Sequence, residues 1–254
     1  MELNFKSFGN GPALIILHGL FGSLDNWVTH ARQLAQTHSV YLIDQRNHGK
    51  SPHDSQWDYE TMAEDLESFM DQQGIYQASL LGHSMGGKAV IQFAMLFPER
   101  IEKLIVADMA PKAYPPHHTE ILETLVSIDL SQFESRQAVG SFMEPRIPEL
   151  GVRQFLLKSL GRDEQKAFRW KFNLAVIYKN YHRILDAIEL NFPFEGPTLF
   201  ISGGKSPYVR PEDHEMILAG FPQAKFSVIE QAGHWLHADS PTEFLQEINA
   251  FLQD

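Results

Sequence analysis

Short apolar runs recur along the chain, separated by stretches in which apolar residues return every three or four positions. The runs at 13–17, 40–43, 78–81, 104–107, 198–202 and 226–229 are too continuous for half-exposed strands and predict buried ones. The periodic stretches at 27–36, 59–73, 88–97, 212–219 and 242–252 predict helices between them. Strand alternating with helix predicts an α/β fold, a mostly parallel central sheet with helices on both faces.

Residues 111–194 break this rhythm. Helical spacing continues there in Ile121, Leu122, Leu125 and Ile128, in Phe155, Leu156 and Leu160, and in Leu174, Ile177 and Tyr178, with no run that reads as a strand. Prolines 111, 115 and 116 open the stretch, and Pro193 and Pro197 close it. The expected division is a core of residues 1–110 and 195–254, with a helical cap inserted at 111–194 over the sheet edge. No internal repeat or low-complexity tract interrupts either part.

Composition narrows the function classes. With 254 residues, 43% hydrophobic and 21% charged, the chain has the profile of a globular domain with a sizeable core. A formal charge of −11 without a Lys/Arg cluster argues against nucleic acid as a partner. The absence of cysteine removes disulfides, thiolate catalysis and Cys-based zinc sites. No apolar run approaches the roughly 18 residues of a membrane span, and Met1 to Ser7 lacks the basic and apolar regions of a leader, so no membrane insertion and a cytoplasmic location are expected. Oligomeric state is not readable at this level.

The most informative motif is Gly82-His83-Ser84-Met85-Gly86, directly after one apolar run and before a helical one. A strand turning at once into a helix strains its central residue, and a side chain at either flank would collide with backbone. Gly82 and Gly86 supply the clearance. Ser84 then projects above the sheet edge, with the helix N-terminus and the Met85 N–H aimed at whatever the serine attacks.

A serine hydroxyl needs a base. Of twelve histidines, His18, His83 and His234 stand in strong contexts. His234 follows the last strand on a loop with Gly233, at the same sheet edge as Ser84, and is the best base candidate. His83 points away from Ser84 along the strand and reads as structural. His234 and His237 have the spacing of metal ligands, but no third ligand stands out and no metal is expected.

Through these features the chain resembles the α/β-hydrolase superfamily, whose functional residues follow in the order Ser, Asp or Glu, His. Within it, small bacterial carboxylesterases of the YbfF type are similar through the stretches 18–23, 44–51, the Ser84 turn and 203–209. The resemblance implies that the turn after the first predicted strand supplies a backbone N–H to an oxyanion. Leu20 is the expected donor and Phe21 the runner-up, with Met85 giving the second N–H. Most members carry the orienting acid where this chain has Ser206. Asp108, at the end of the strand after the Ser84 helix, reaches the same sheet edge, where some members keep their acid. The alternative for Asp108 is a turn former before Met109-Ala110-Pro111, and Ser206 is expected as a hydrogen-bonding neighbour of the Asp–His pair.

Other residues have plainer readings. Asp44 and Arg46 are expected to hold the loop 47–51, and Asp25 and Asn26 to cap the helix near Trp27. The aromatics Phe142, Phe155, Phe168, Trp170, Phe172, Tyr178 and Tyr181 fit either an acyl pocket or ordinary core. A nucleotide-phosphate loop is disfavoured because no Gly-x-Gly-x-x-Gly or Gly-Lys-Ser/Thr ending occurs in a P-loop context.

The resulting expectation is a serine carboxylesterase cleaving a small-molecule acyl ester or thioester through an acyl-enzyme, with Ser84, His234 and Asp108 as the triad and no cofactor. Acyl-CoA thioester cleavage, cofactor-free haloperoxidation and carbon–carbon bond hydrolysis are alternatives on the same triad. A slow-turnover ligand receptor is the non-enzymatic alternative, and Ser84 at the turn excludes an Asp-nucleophile dehalogenase.

Overall fold

A computed structural model describes residues 1–253. The chain runs through β1 (Phe5–Phe8), β2 (Ala13–Leu17), α1 (Val28–Leu34), β3 (Ser39–Ile43), α2 (Tyr59–Gln72), β4 (Ala78–His83), α3 (Met85–Leu96) and β5 (Ile101–Ala107). It continues through α4 (Thr119–Ser127), α5 (Arg136–Met143), α6 (Leu150–Lys158), β6 (Leu160–Arg162), β7 (Phe168–Trp170) and α7 (Leu174–Leu185). It ends with β8 (Thr198–Gly203), α8 (His214–Gly220), β9 (Ala224–Ile229), α9 (Leu236–Asp239) and α10 (Pro241–Gln253).

Seven strands form one sheet in the order β1-β3-β2-β4-β5-β8-β9. Only β1 is antiparallel to its neighbour. The inner strands β2, β4, β5 and β8 are built around apolar stretches, Leu14–Leu17, Leu80–Leu81, Leu104–Ala107 and Leu199–Ile201, because both of their faces are covered there. Ile15, Leu17, Leu80, Leu104, Val106 and Phe200 enter the layer of α2 and α3. Leu14, Ile16, Leu81, Ile105, Leu199 and Ile201 enter the layer of α1 and α10.

Three features depart from the sequence expectation. Strand β1 has the pattern FKSF, half-exposed at a sheet edge, and leaves no continuous apolar run. Strand β9 is the opposite edge and is not fully buried, with Val228 47% exposed. Between β5 and β8, helices α4 to α7 are accompanied by the antiparallel ribbon β6–β7, whose three-residue strands are too short to carry a period.

Helix α7 is fastened to the core at both ends. At its start, the Asn173 amide groups donate to the Asn47 carbonyl at 2.8 Å and to Asn47 Oδ1 at 3.0 Å. At its end, Tyr59 Oη donates to the Ile184 carbonyl at 2.9 Å. Lys88 Nζ donates to the Leu185 and Asp186 carbonyls at 3.3 and 2.5 Å. The Lys88 ammonium lies 5.6 Å from the Tyr59 ring centre and 5.0 Å from that of Tyr114, and burial lowers its pKa to about 8. A cation against the last carbonyls of a helix is also favoured by the helix dipole. Among the described residues, no helix is long and apolar enough to cross a membrane.

Candidate active site

Ser84 sits between β4 and α3 with φ 55° and ψ −118°. Backbone strain of this kind costs about 1–3 kcal/mol and persists only when surrounding structure enforces it. Here the Ser84 N–H is held by the Ala107 carbonyl at 3.1 Å. A Cβ on Gly86 would lie 2.5 Å from the Leu17 carbonyl oxygen and 2.8 Å from that of His18. A Cβ on Gly82 would run into the Gly86 backbone. Helix α3 therefore begins at Met85, three residues before the periodicity signalled it, because the apolar repeat is silent across Gly86 and Gly87.

Ser84 Oγ lies 2.9 Å from His234 Nε2, and His234 Nδ1 lies 2.6 Å from Asp108 Oδ2. Asp108 is fully buried at the end of β5, also with positive φ, 51°. Its Oδ1 accepts the Gly203 N–H at 3.1 Å, and its Oδ2 also accepts the Ser206 hydroxyl. Asp108 thus meets the ring, a hydroxyl and a backbone amide, which is more than a turn former requires. Since Asp108 Oδ2 takes the Nδ1 proton, Nε2 of the neutral ring is left as an acceptor for the serine hydroxyl.

The loop carrying His234 hangs on neighbouring rings. His83 Nε2 donates to the His234 carbonyl at 2.8 Å, and His30 Nε2 donates to the His237 carbonyl at 2.8 Å. Tyr208 stacks on the His234 ring at 4.0 Å. The Tyr208 carbonyl accepts the Tyr114 hydroxyl, which itself accepts the Ala110 N–H. His237 stands three residues after His234. Its ring stacks on Trp27 at 4.4 Å, and no group of metal-binding side chains forms among the described residues.

Burial keeps the surrounding histidines neutral. Desolvation lowers His18 to about 4, His237 to about 3 and His48 to about 3, and takes His83 well below its ordinary value. His118 is likewise lowered to about 4. Its backbone N–H donates to Tyr181 Oη at 3.0 Å, and that hydroxyl can donate to His118 Nδ1 at 2.9 Å.

The two expected oxyanion positions separate cleanly. The Phe21 N–H is engaged by His48 Nε2 at 3.3 Å, while His48 Nδ1 donates to the Arg46 carbonyl at 3.0 Å. The runner-up amide is therefore occupied. Leu20 and Met85 line the wall beside Ser84, and Met85, as the first residue of α3, has no intrahelical acceptor for its N–H. His18 supports this turn through Gly19 O at 2.8 Å and the Gln45 N–H at 3.1 Å.

The loop-holding role of Asp44 is realised: its carboxylate accepts N–H groups of Leu24 at 2.8 Å and Lys50 at 2.9 Å. Arg46 instead pairs with buried Asp65 at 2.5 Å. Asn26 accepts the Ser23 N–H at 2.8 Å, so it closes the first turn from within, whereas exposed Asp25 pairs with Lys6 at 2.7 Å. Of the seven aromatics singled out in the sequence, Phe155 and Tyr181 reach the cavity walls. Trp170 stacks on Phe172, Phe172 packs on Phe21, and Phe142 and Tyr178 face solvent. Tyr114 and His118 carry no signal in the sequence, whereas Tyr181 is one of the aromatics expected either at a pocket or in the core. Tyr208 was covered only by the motif at 203–209.

The alpha/beta hydrolase fold family model matches residues 12–241. The chain is 41% identical to Esterase YbfF of Escherichia coli (strain K12), over the full length of both. It is 35% identical to the sn-1-specific diacylglycerol lipase ABHD11 of Mus musculus, covering 95% of this chain and 81% of that protein. A solved structure titled "Marine microorganism esterase" superposes with a TM-score of 0.96 at 42% identity, covering 98% of this chain and 99% of that one. Together with the parallel sheet and the serine turn at its centre, these matches make the chain a member of the α/β-hydrolase fold family.

Proposed function

We propose that the protein is a serine carboxylesterase in which Ser84 attacks a small-molecule ester, His234 relays the proton and Asp108 orients His234. The observation that carries this reading is the unbroken hydrogen-bonded chain Ser84–His234–Asp108, with the Leu20 and Met85 amides beside the hydroxyl. Relatives named as an esterase and a diacylglycerol lipase support the ester bond as the target.

In the first step, Oγ bonds to the ester carbonyl carbon as its proton passes to His234 Nε2. The oxyanion forms against the Leu20 and Met85 N–H groups. Collapse breaks the carbon–oxygen bond to the alcohol, and the alkoxide leaves with the proton from Nε2. Water then repeats the sequence on the acyl-serine, releasing the carboxylic acid and restoring the hydroxyl. Asp108 stays ionised throughout, with Ser206 and the Gly203 amide fixing its carboxylate.

Residues 111–194 act in this reading as a cap, supported by Ile121, Phe155 and Tyr181 in the walls beside Ser84. The reading is tested with an activated ester such as p-nitrophenyl acetate. Purified protein should turn it over many times, and Ser84→Ala should lose on the order of 10⁶-fold in kcat. Undiminished turnover by Ser84→Ala, with contaminating activity excluded, would refute it.

A further inference from the structure

Two arms of very different size leave Ser84. The wide arm has a volume of about 190 Å³ and is walled by Trp27, Val152, Phe155, Leu156 and Trp235, with His234 at its base. The narrow arm has about 30 Å³ and is walled by Tyr59, Met85, Met109, Tyr114, Ile184 and Leu185. Ser84, Leu20, His118 and Tyr208 border both.

Their chemistry assigns the two halves of an ester. The leaving alkoxide must take its proton from His234 Nε2, so the alcohol departs on the side where the imidazole stands. His234 borders only the wide arm, and Met85 borders only the narrow one. The alcohol therefore belongs in the wide arm and the acyl chain in the narrow one. On this measure of volume a water-sized group occupies ~10–15 Å³, so the narrow arm holds two or three such groups. Counting the carbonyl carbon, that is an acetyl or propionyl group, whereas the wide arm takes an aryl-alkyl or branched alcohol.

The narrow arm is also held against widening. The Ile184 carbonyl is bonded by Tyr59 and the Leu185 carbonyl by Lys88 Nζ and the Tyr114 N–H, while the Tyr114 hydroxyl bonds the Tyr208 carbonyl. The wide arm is bounded by apolar side chains of α4 and α6, such as Ile121 and Val152. Neither arm is lined by Asp, Glu, Lys or Arg. A carboxylate on the acyl chain would lose its hydration without gaining an ionic partner.

We propose that the protein selects neutral esters of a short acyl group, acetyl or propionyl, with a bulky apolar alcohol. This rests on the serine esterase reading above and goes beyond it by fixing which end of the ester is small.

Two isomeric esters test the assignment, because they differ only in which side of the carbonyl bears the ring. We expect kcat/KM for 2-phenylethyl acetate to exceed that for ethyl phenylacetate by roughly 100-fold. Ile184→Ala, which opens the narrow arm, should shift that ratio toward ethyl phenylacetate by about tenfold. Val152→Trp, which fills the wide arm at a half-buried position, should shift it in the same direction by lowering the rate on 2-phenylethyl acetate, and serves if Ile184→Ala does not fold. Equal or reversed rates on the two isomers, with Ser84-dependent hydrolysis of p-nitrophenyl acetate intact, would overturn the arm assignment and leave the esterase reading standing. Loss of neither isomer nor p-nitrophenyl acetate hydrolysis in Ser84→Ala would overturn both.

Discussion

The turn that carries Ser84 and the loop that carries His234 meet in one hydrogen bond of 2.9 Å, yet they are built in opposite ways. The turn is local. Gly82, Gly86 and the start of α3 force its shape within five residues, so the same pattern is visible in the chain itself. The loop is assembled from far away. His83, His30, Asp108 and Tyr208 fix it, and each is separated from it in sequence by many residues or by a whole strand. A local device fails through sterics, whereas a long-range one fails through lost partners, and the two should respond differently to substitution.

The largest effect is expected where the turn is overfilled. Gly86→Val places side-chain atoms against the Leu17 and His18 carbonyls, and should cost on the order of 4 kcal/mol or more in stability. Thermal denaturation should show a large drop in Tm, and an unchanged Tm would mean that the turn tolerates what its geometry forbids. On the loop side, Asp108→Asn should leave the fold in place and slow kcat by up to ~10⁴-fold, because the imidazole takes the wrong tautomer. Adding Ser206→Asp to that variant should restore part of the rate, since the Ser206 side chain reaches the same Asp108 oxygen as His234.

Acid should act on buried histidines in both regions, since His18 and His48 hold the Leu20–Phe21 turn and His237 follows His234 by three residues. His18, His48 and His237 are held neutral by burial, with pKa values of about 4, 3 and 3. In the unfolded chain each takes up a proton near pH 6.5. Between that value and about pH 4 the unfolded state binds protons that the native state refuses, so stability falls as pH falls. The three imidazoles act in the same direction over this range, each withdrawing stability as pH falls. Equilibrium denaturation at pH 7 and pH 5 should therefore differ by several kcal/mol, and a flat profile would contradict the buried-neutral assignment.

Smaller effects should grade the individual supports. His83→Phe removes the donor to the His234 carbonyl and should lower kcat by roughly 10- to 100-fold with KM little changed, while His83→Asn, which keeps an N–H donor, should recover part of it. Ser206→Ala removes a hydrogen bond to the ionised Asp108 carboxylate, about 1.5–3 kcal/mol, a loss of roughly 10- to 100-fold. If Ser206→Ala proved more damaging than Asp108→Asn, the carboxylate would have to be sought elsewhere.

The same contrast explains what was legible in the chain. The inner strands announce themselves because both faces are covered, so β2, β4, β5 and β8 each contain a short apolar run. The edges do not, since β1 and β9 mix polar with apolar side chains. Ser84 is legible from its glycines and His234 from its place after the last strand. Tyr114 and His118 are not, and Tyr181 is legible only as one of seven aromatics that fit a pocket or the core, because they act through contacts between the stretch after β5, helix α7 and the loop after β8, and no spacing along the chain encodes those contacts. The amide at Phe21 carries the same lesson. Only the distant His48 ring shows that the Phe21 N–H already has an acceptor within the protein.

The central claim is that the acyl group passes through Ser84. Intact-protein mass spectrometry after rapid acid quench of the protein mixed with excess p-nitrophenyl acetate tests it directly, with peptide mapping of the adduct. The account predicts one added acetyl group per chain, located on Ser84 and absent from Ser84→Ala. Steady turnover by the wild-type protein with no adduct at any quench time, or an adduct on another side chain that forms and decays at the turnover rate, would contradict it.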